Sequence, residues 1–112
     1  MERPEGFEDT YDREALLAAM QQHERNITAI KGVLEQEQGA LRQLQITRSV
    51  LRRAPVVNTD QVQQVTAEIQ DRQQAVANLE HGITELRKQQ QQHQVYVDYI
   101  DHLVANGNGR RG

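Results

Sequence analysis

Three residues with chemically active side chains could meet across a pair of helices: His23, Gln90 and His93. The two imidazoles could bind a metal ion or act as a pH-sensitive switch. Alternatively, they form a polar layer that sets the register of the paired helices, as buried Asn does in coiled coils. We favour the polar layer, because no carboxylate lies at a neighbouring core position and two histidines alone make a poor metal site. We therefore assign no metal and no cofactor, and keep His23 and His93 as weak metal candidates.

A cluster of arginines lies before and within the predicted turn of the chain and could bind phosphate or an acidic partner. Its members are Arg42, Arg48, Arg52 and Arg53. The other explanation is that these charges are solvated and favour the C-terminal end of the first helix, whose dipole attracts cations. Asp60, Glu68 and Asp71 would lie close enough to dilute the charge, and no aromatic residue is interleaved with the cluster. We favour the second explanation.

All the aromatic residues lie towards the two ends of the chain. They are Phe7, Tyr11, Tyr96 and Tyr99, and Leu103 follows them. Aromatic side chains often anchor protein interfaces, so this group could bind a partner. Alternatively, the N-terminal arm folds back and Phe7 covers the end of the helix pair. The sequence leaves both interpretations open.

No combination of residues indicates catalysis. The 112-residue chain has no cysteine, no glycine-rich phosphate loop, no paired nucleophile and base, and no HExxH motif. A pair of helices also offers no pocket that could exclude water. We therefore predict that the protein is not an enzyme.

Composition narrows the class of protein further. Hydrophobic residues make up 37% of the chain, so a thick globular core is not expected. The net charge of −3 argues against non-specific binding to nucleic acid. The acidic start lacks the apolar segment of a secretory signal, and no window of about 18 residues is apolar enough to span a membrane. We expect a cytoplasmic protein, or part of a particle assembled inside the cell, with no membrane partner.

Two heptad repeats predict the elements that position these residues. Apolar residues recur at steps of three and four from Val62 to Val104, and a similar repeat runs from Leu16 to Leu51. The repeated positions are called a and d, and together they form one narrow apolar stripe on a long helix that needs a partner helix. Two such helices joined by a short turn are antiparallel neighbours. The predicted fold class is therefore all-α, a long antiparallel two-helix coiled-coil hairpin.

Helix-breaking residues set the predicted bounds of this hairpin. Pro55 ends the first helix, Asn58 followed by Gln61 resembles a capping box for the second, and Asn106-Gly107 supplies a left-handed stop. The predicted segments are an irregular arm at 1–9, helices at 10–52 and 60–105, a turn at 53–59, and a disordered basic tail at 106–112.

The start of the first helix is predicted from its polar residues. Asp9 or Thr10 would cap it, because a side-chain oxygen there can accept a hydrogen bond from a free backbone N–H. Asp12 and Glu14 would then lie in the first turn, where negative charge suits the helix dipole.

One register places an a residue opposite a d residue in every layer, with paired residue numbers that sum to 113. Charged residues support this register, because a slip of one heptad would bring like charges together. In the core, Gln90 then lies opposite His23. The predicted charged pairs are Glu24 with Arg87, Lys31 with Glu80, and Glu37 with Arg72.

A second helix-binding surface is predicted at the g positions, where both helices carry small or apolar residues. These residues are Ala19, Val33, Ala40, Ala75, Gly82, Tyr96 and Leu103, with Tyr99 beside them. Small side chains let another helix approach closely, and a small hairpin gains stability when it oligomerises. We therefore predict that hairpins assemble into a helical bundle through this g-side surface.

The predicted function is structural. We expect an oligomeric component of a larger complex, such as a virion or a secretion apparatus, whose partners are itself and other helical proteins. The first alternative is a small helical chaperone or adaptor for client proteins, which requires an exposed apolar patch at one end. The second is a nucleic-acid-binding accessory protein that uses the arginine cluster, here called the basic tip: Arg42, Arg48, Arg52 and Arg53. This alternative requires binding that weakens steeply with salt.

Overall fold

The computed structural model describes the backbone of residues 1–111 and the side chains of residues 1–107. These residues form two helices, α1 at Arg13–Arg53 and α2 at Thr59–Arg111, and no β-strand. Contacts between the start of α1 and the end of α2 show that the helices are antiparallel. The predicted all-α coiled-coil hairpin is therefore confirmed.

The chain divides into two compact units. The root unit contains Met1–Ile27 and Thr84–Gly112, and the turn unit contains Thr28–Ile83. Each helix contributes to both units. The N-terminal arm and the two histidines of the predicted polar layer belong to the root unit, and the connection between the helices belongs to the turn unit.

Burial follows the predicted heptads on each helix. Every a and d residue of α1 from Leu16 to Leu51 is buried or half-buried. The same holds for α2 from Val62 onwards, except that Arg72 and Val104 are exposed. Val104 is exposed because its partner in the register would be residue 9, which precedes α1. The most buried side chains of the two units are isoleucines at these positions: Ile27 and Ile69, which are 0% and 2% exposed.

The first helix starts later than predicted. It begins at Arg13, so the predicted caps Asp9 and Thr10 lie too far before its first turn to cap it. Asp12 takes the cap position instead, because its Oδ1 accepts a hydrogen bond from the backbone N of Glu14 at 3.4 Å. The preceding residues are held in turns by their own backbone hydrogen bonds, which keeps them out of the helix.

The connection between the helices has the helix break and the capping residue that the sequence predicts. α1 ends at Arg53, shortly before Pro55, which disfavours a helical conformation in the residue preceding it. α2 begins at Thr59, and Asn58 caps it: Asn58 Oδ1 accepts a hydrogen bond from the backbone N of Gln61 at 3.2 Å. This is the bond that the capping box requires of its first residue. Both helix ends lie within one residue of the predicted bounds.

The predicted end of α2 at residue 105 was wrong. The helix continues to Arg111, and among the described residues only Gly6 has a positive φ, so Gly107 is not a left-handed stop. Extending an existing helix adds one backbone hydrogen bond per residue, and glycine costs only about 1 kcal/mol relative to alanine. Within the tail predicted to be disordered, Gly112 and the side chains of 108–111 lie outside the described residues.

Candidate functional site

The root unit brings together the three residues of the predicted polar layer. The ring centroids of His23 and His93 are 5.2 Å apart, and their planes are inclined by 49°. The Nε2 of Gln90 donates hydrogen bonds to the backbone O of Met20 at 3.2 Å and to Oε2 of Glu24 at 3.0 Å. The layer therefore joins the two helices through polar side chains inside an otherwise apolar core.

The two histidines differ in whether their ring nitrogen Nδ1 makes a hydrogen bond. His93 Nδ1 lies 2.7 Å from the backbone O of Gln89. Because a carbonyl oxygen can only accept, this Nδ1 carries the hydrogen, and in the neutral ring Nε2 holds the lone pair. His23 Nδ1 is buried and has no hydrogen-bond partner. A buried polar atom without a partner costs free energy and calls for an explanation.

The aromatic residues form a compact cluster at the open end of the hairpin. The ring of Phe7 contacts Tyr99, Tyr11 and Tyr96 in edge-to-face arrangements, with centroid distances of 4.9, 5.6 and 5.7 Å. Phe7 and Tyr96 are buried, and they pack on Leu16 and other a and d residues. The arm therefore folds back and Phe7 covers the end of the core, which was the local interpretation of these aromatics.

Hydrogen bonds attach the arm to α2. The backbone O of Glu5 accepts from the Tyr96 hydroxyl at 3.2 Å and from Gln92 Nε2 at 3.3 Å. The next residue, Gly6, has a φ of +81°, and a Cβ there would lie only 2.8 Å from the Tyr96 hydroxyl oxygen. Glycine is required at this position both for its backbone conformation and for space.

Tyr96 was predicted to face a partner on the g-side surface, but the structure places it elsewhere. It is buried beneath the arm of its own chain, and Tyr99 is half-buried in the same cluster. Leu103, further along α2, remains exposed. At the root unit, the arm therefore already covers part of the surface that the sequence assigned to other helices.

An ion pair that the sequence analysis missed also holds the root unit. Arg13 Nε donates to Oδ1 of Asp101 at 2.7 Å. The hydrogen bond to Asp101, together with its charge, raises the pKa of Arg13. The signal was available, because these residue numbers sum to 114, close to the sum that defines the register.

The charged residues predicted to set the register have different outcomes. Glu37 and Arg72 pair across the turn unit at 2.9 Å, as expected for adjacent layers. Glu24 accepts a hydrogen bond from Gln90. The pairing of Glu24 with Arg87, and that of Lys31 with Glu80, stay predictions.

The g-side surface of the turn unit consists of Val33, Ala40, Ala75 and Gly82. Val33 is 46% exposed, and the other three are half-buried. A Cβ added at Gly82 would come no closer than 4.0 Å to the nearest side-chain atom, Ile30 Cδ1. In this unit the surface is therefore uncovered and shallow.

A second uncovered surface lies near the connection between the helices. Its apolar members, the turn patch, are Ile46 and Val50, and Val56 and Val57 in the connection are also exposed. Ile46 and Val50 are one helical turn apart and line a groove together with Arg42 and Arg53. Their spacing of four residues was a detectable signal, but it fell outside the a and d positions.

The basic tip is divided by the structure. Arg42 and Arg53 border the groove of the turn patch, and Arg52 is exposed near them. Arg48 is half-buried at its a position in the core. The four arginines therefore do not form one surface, although three of them are accessible.

Protein-family models, curated proteins and solved structures were compared with this chain, and none of them matches it. Within the described residues, neither helix has an apolar segment long enough to cross a membrane. In the same part of the chain, His, Cys, Asp and Glu side chains do not gather in groups of three or more that could hold a metal ion.

Proposed function

We propose that this protein is a non-enzymatic assembly protein that acts through helix–helix contacts, with itself and with other helical proteins. The observation that carries the proposal is the large hydrophobic residues left exposed in the turn unit. They are Val33, Ile46, Val50, Val56 and Val57, with exposed fractions between 46% and 86%. A hairpin of two helices covers only the inner face of each helix, so about half or more of each of these side chains lies in solvent.

The g-side surface of the turn unit supports self-association. In the predicted register, Val33 lies on the same side of the hairpin as small residues of both helices, Ala40 on α1 and Ala75 and Gly82 on α2. Small side chains allow another helix to approach closely, and the contact would bury apolar area that a two-helix hairpin leaves in water. Two hairpins joined in this way make a four-helix bundle. Location in the cytoplasm or in an intracellularly assembled particle is part of this proposal.

Sedimentation velocity over a range of concentrations tests the proposal. We expect the wild-type chain to shift to a higher mass as its concentration rises. Val33→Glu combined with Ala40→Glu should remain monomeric, because a bundle would bury the added charges without partners. Circular dichroism verifies that the variant is still helical.

The matched control adds the same charge to the same unit on solvated positions: Gln63→Glu combined with Gln70→Glu, both of which are exposed. It should assemble like the wild type. A wild-type chain that stays monomeric at every concentration, or a control that dissociates as the g-side variant does, would contradict the proposal.

A second candidate function rests on part of the same observation. The turn patch is an exposed apolar surface next to the connection between the helices, as a chaperone or adaptor for client proteins requires. Arg42 and Arg53 at its borders would favour acidic segments of a client.

Suppression of aggregation tests this candidate, with a reduced, unfolded test protein followed by light scattering. The wild type should slow aggregation, and Ile46→Glu combined with Val50→Glu should not. The Gln63 and Gln70 control should act like the wild type. Equal protection by the patch variant and the wild type would exclude the turn patch as a client-binding site.

A further inference from the structure

The root unit contains two neighbouring imidazoles, one from each helix. His93 donates its Nδ1–H to the backbone O of Gln89 at 2.7 Å. Metal-binding histidines typically use one ring nitrogen in this way, because a hydrogen bond to a carbonyl fixes the ring and its tautomer and leaves the other nitrogen free to bind the ion. In His93, the free nitrogen is Nε2.

The second imidazole supplies a nitrogen that needs a partner. His23 Nδ1 is buried and accepts or donates no hydrogen bond within the protein. Gln90, the nearest predicted partner in the register, donates its amide hydrogens elsewhere, to Met20 and Glu24. A bound ion would satisfy this atom, and an unsatisfied buried nitrogen is one of the marks of such a site.

We propose that His23 Nδ1 and His93 Nε2 bind one divalent transition-metal ion, with Zn²⁺ as the best match. The observed separation of the ring centroids is 5.2 Å. Two imidazoles that share one tetrahedral ion at Zn–N distances of about 2.0 Å also place their ring centres about 5 Å apart. The spacing of the two rings is therefore compatible with one shared ion.

The chemistry of the pair selects the class of ion. Neutral imidazole nitrogens suit Zn²⁺, Cu²⁺ and Ni²⁺, whereas Ca²⁺ and Mg²⁺ require oxygen ligands. No third His, Cys, Asp or Glu side chain of the described residues completes a metal-binding group, so the proposed site has two protein ligands and water would have to take the other coordination positions. One ligand comes from each helix, so binding links α1 to α2 and stabilises the root unit.

Calorimetric titration of the chain, purified without a histidine tag, with Zn²⁺ tests the proposal. We expect one ion per chain, and a rise in Tm of about 5 °C or more at zinc concentrations well above Kd. His23→Gln and His93→Gln should each weaken binding about tenfold or more. Gln is chosen because it is already accepted in this polar layer at position 90, and circular dichroism verifies the fold of each variant.

The matched controls are the other two histidines. His81 is exposed on α2, and His102 Nε2 lies 3.5 Å from the N-terminal amine of Met1, which makes it the main competing zinc ligand. His81→Gln and His102→Gln should bind zinc like the wild type.

An NMR titration gives an independent readout, because zinc should shift the ring nitrogens His23 Nδ1 and His93 Nε2 and leave His81 unchanged. The proposal is overturned if the chain binds no zinc, if binding survives both the His23 and His93 substitutions, or if His102→Gln abolishes it. A stoichiometry of one ion per two chains would also overturn it, since the site would then lie between chains.

Discussion

Arg72 and Glu37, on opposite helices of the turn unit, form an ion pair in which Nη1 of the guanidinium donates to both carboxylate oxygens at 2.9 Å. The hydrogen bond to Glu37, followed by its negative charge, raises the pKa of Arg72. Arg72 occupies a d position but is exposed, whereas Glu37, also at a d position, is half-buried. The pair joins the two helices in one register and would be broken by a slip of a heptad.

This pair predicts a coupled response to charge reversal. Arg72→Glu should lower Tm modestly, because it places two carboxylates together, and adding Glu37→Arg should restore much of the loss. The effect is small, as expected for an ion pair open to solvent. Thermal melts of the four chains in the double-mutant cycle measure it. As a control, Glu35→Arg, at an exposed position on the same helix as Glu37, should not rescue Arg72→Glu. Additive effects of the Arg72 and Glu37 substitutions in the cycle would refute the pairing.

Gly6 should not tolerate a side chain. Gly6→Ala forces a residue with a Cβ into a φ of +81° and places that Cβ 2.8 Å from the Tyr96 hydroxyl oxygen. We expect a loss of about 1–3 kcal/mol in the free energy of unfolding of the root unit, with faster amide exchange in the arm. Gly32→Ala is the control: it lies in α1 with open space around it and should raise stability by up to about 1 kcal/mol. Unchanged arm protection in Gly6→Ala would contradict this account.

Two isoleucines of α1 differ in burial, so their replacement by alanine should cost different amounts of stability. Ile27→Ala should cost about 2–5 kcal/mol, because Ile27 is fully buried and its loss leaves a cavity. Ile46→Ala should change stability by less than about 0.5 kcal/mol, because Ile46 is 56% exposed. Chemical denaturation of the two variants at low protein concentration measures both values. Similar costs for the two substitutions would show that Ile46 is covered in solution.

The polar layer predicts opposite effects of leucine at neighbouring positions. In the presence of a chelator, His23→Leu with His93→Leu should raise Tm, because it replaces a buried nitrogen without a partner by an apolar side chain. Gln90→Leu should lower Tm, because it removes two hydrogen bonds, to Met20 and to Glu24. The two variants are compared by thermal melts without metal. A fall in Tm for the double histidine variant would mean that His23 Nδ1 is already satisfied in solution.

Sequence signals were enough to predict the two helices, their pairing and the two helix ends at the connection. These features depend on interactions that repeat along the chain or act between near neighbours: the heptad spacing of apolar residues, the cap at Asn58 and the break near Pro55. The Glu37–Arg72 pair was also predictable, because the register follows once two long helices are known to be antiparallel. Such local and periodic signals can be read without coordinates.

The structure was needed to show how the non-repeating parts of the chain are used. The arm has no periodic pattern, so its return over Tyr96 depends on a positive φ at Gly6 and on contacts with residues far along the chain. The free Nδ1 of His23 likewise depends on where Gln90 directs its hydrogen bonds. These are outcomes of competition among side chains in three dimensions, and no spacing along the sequence contains them.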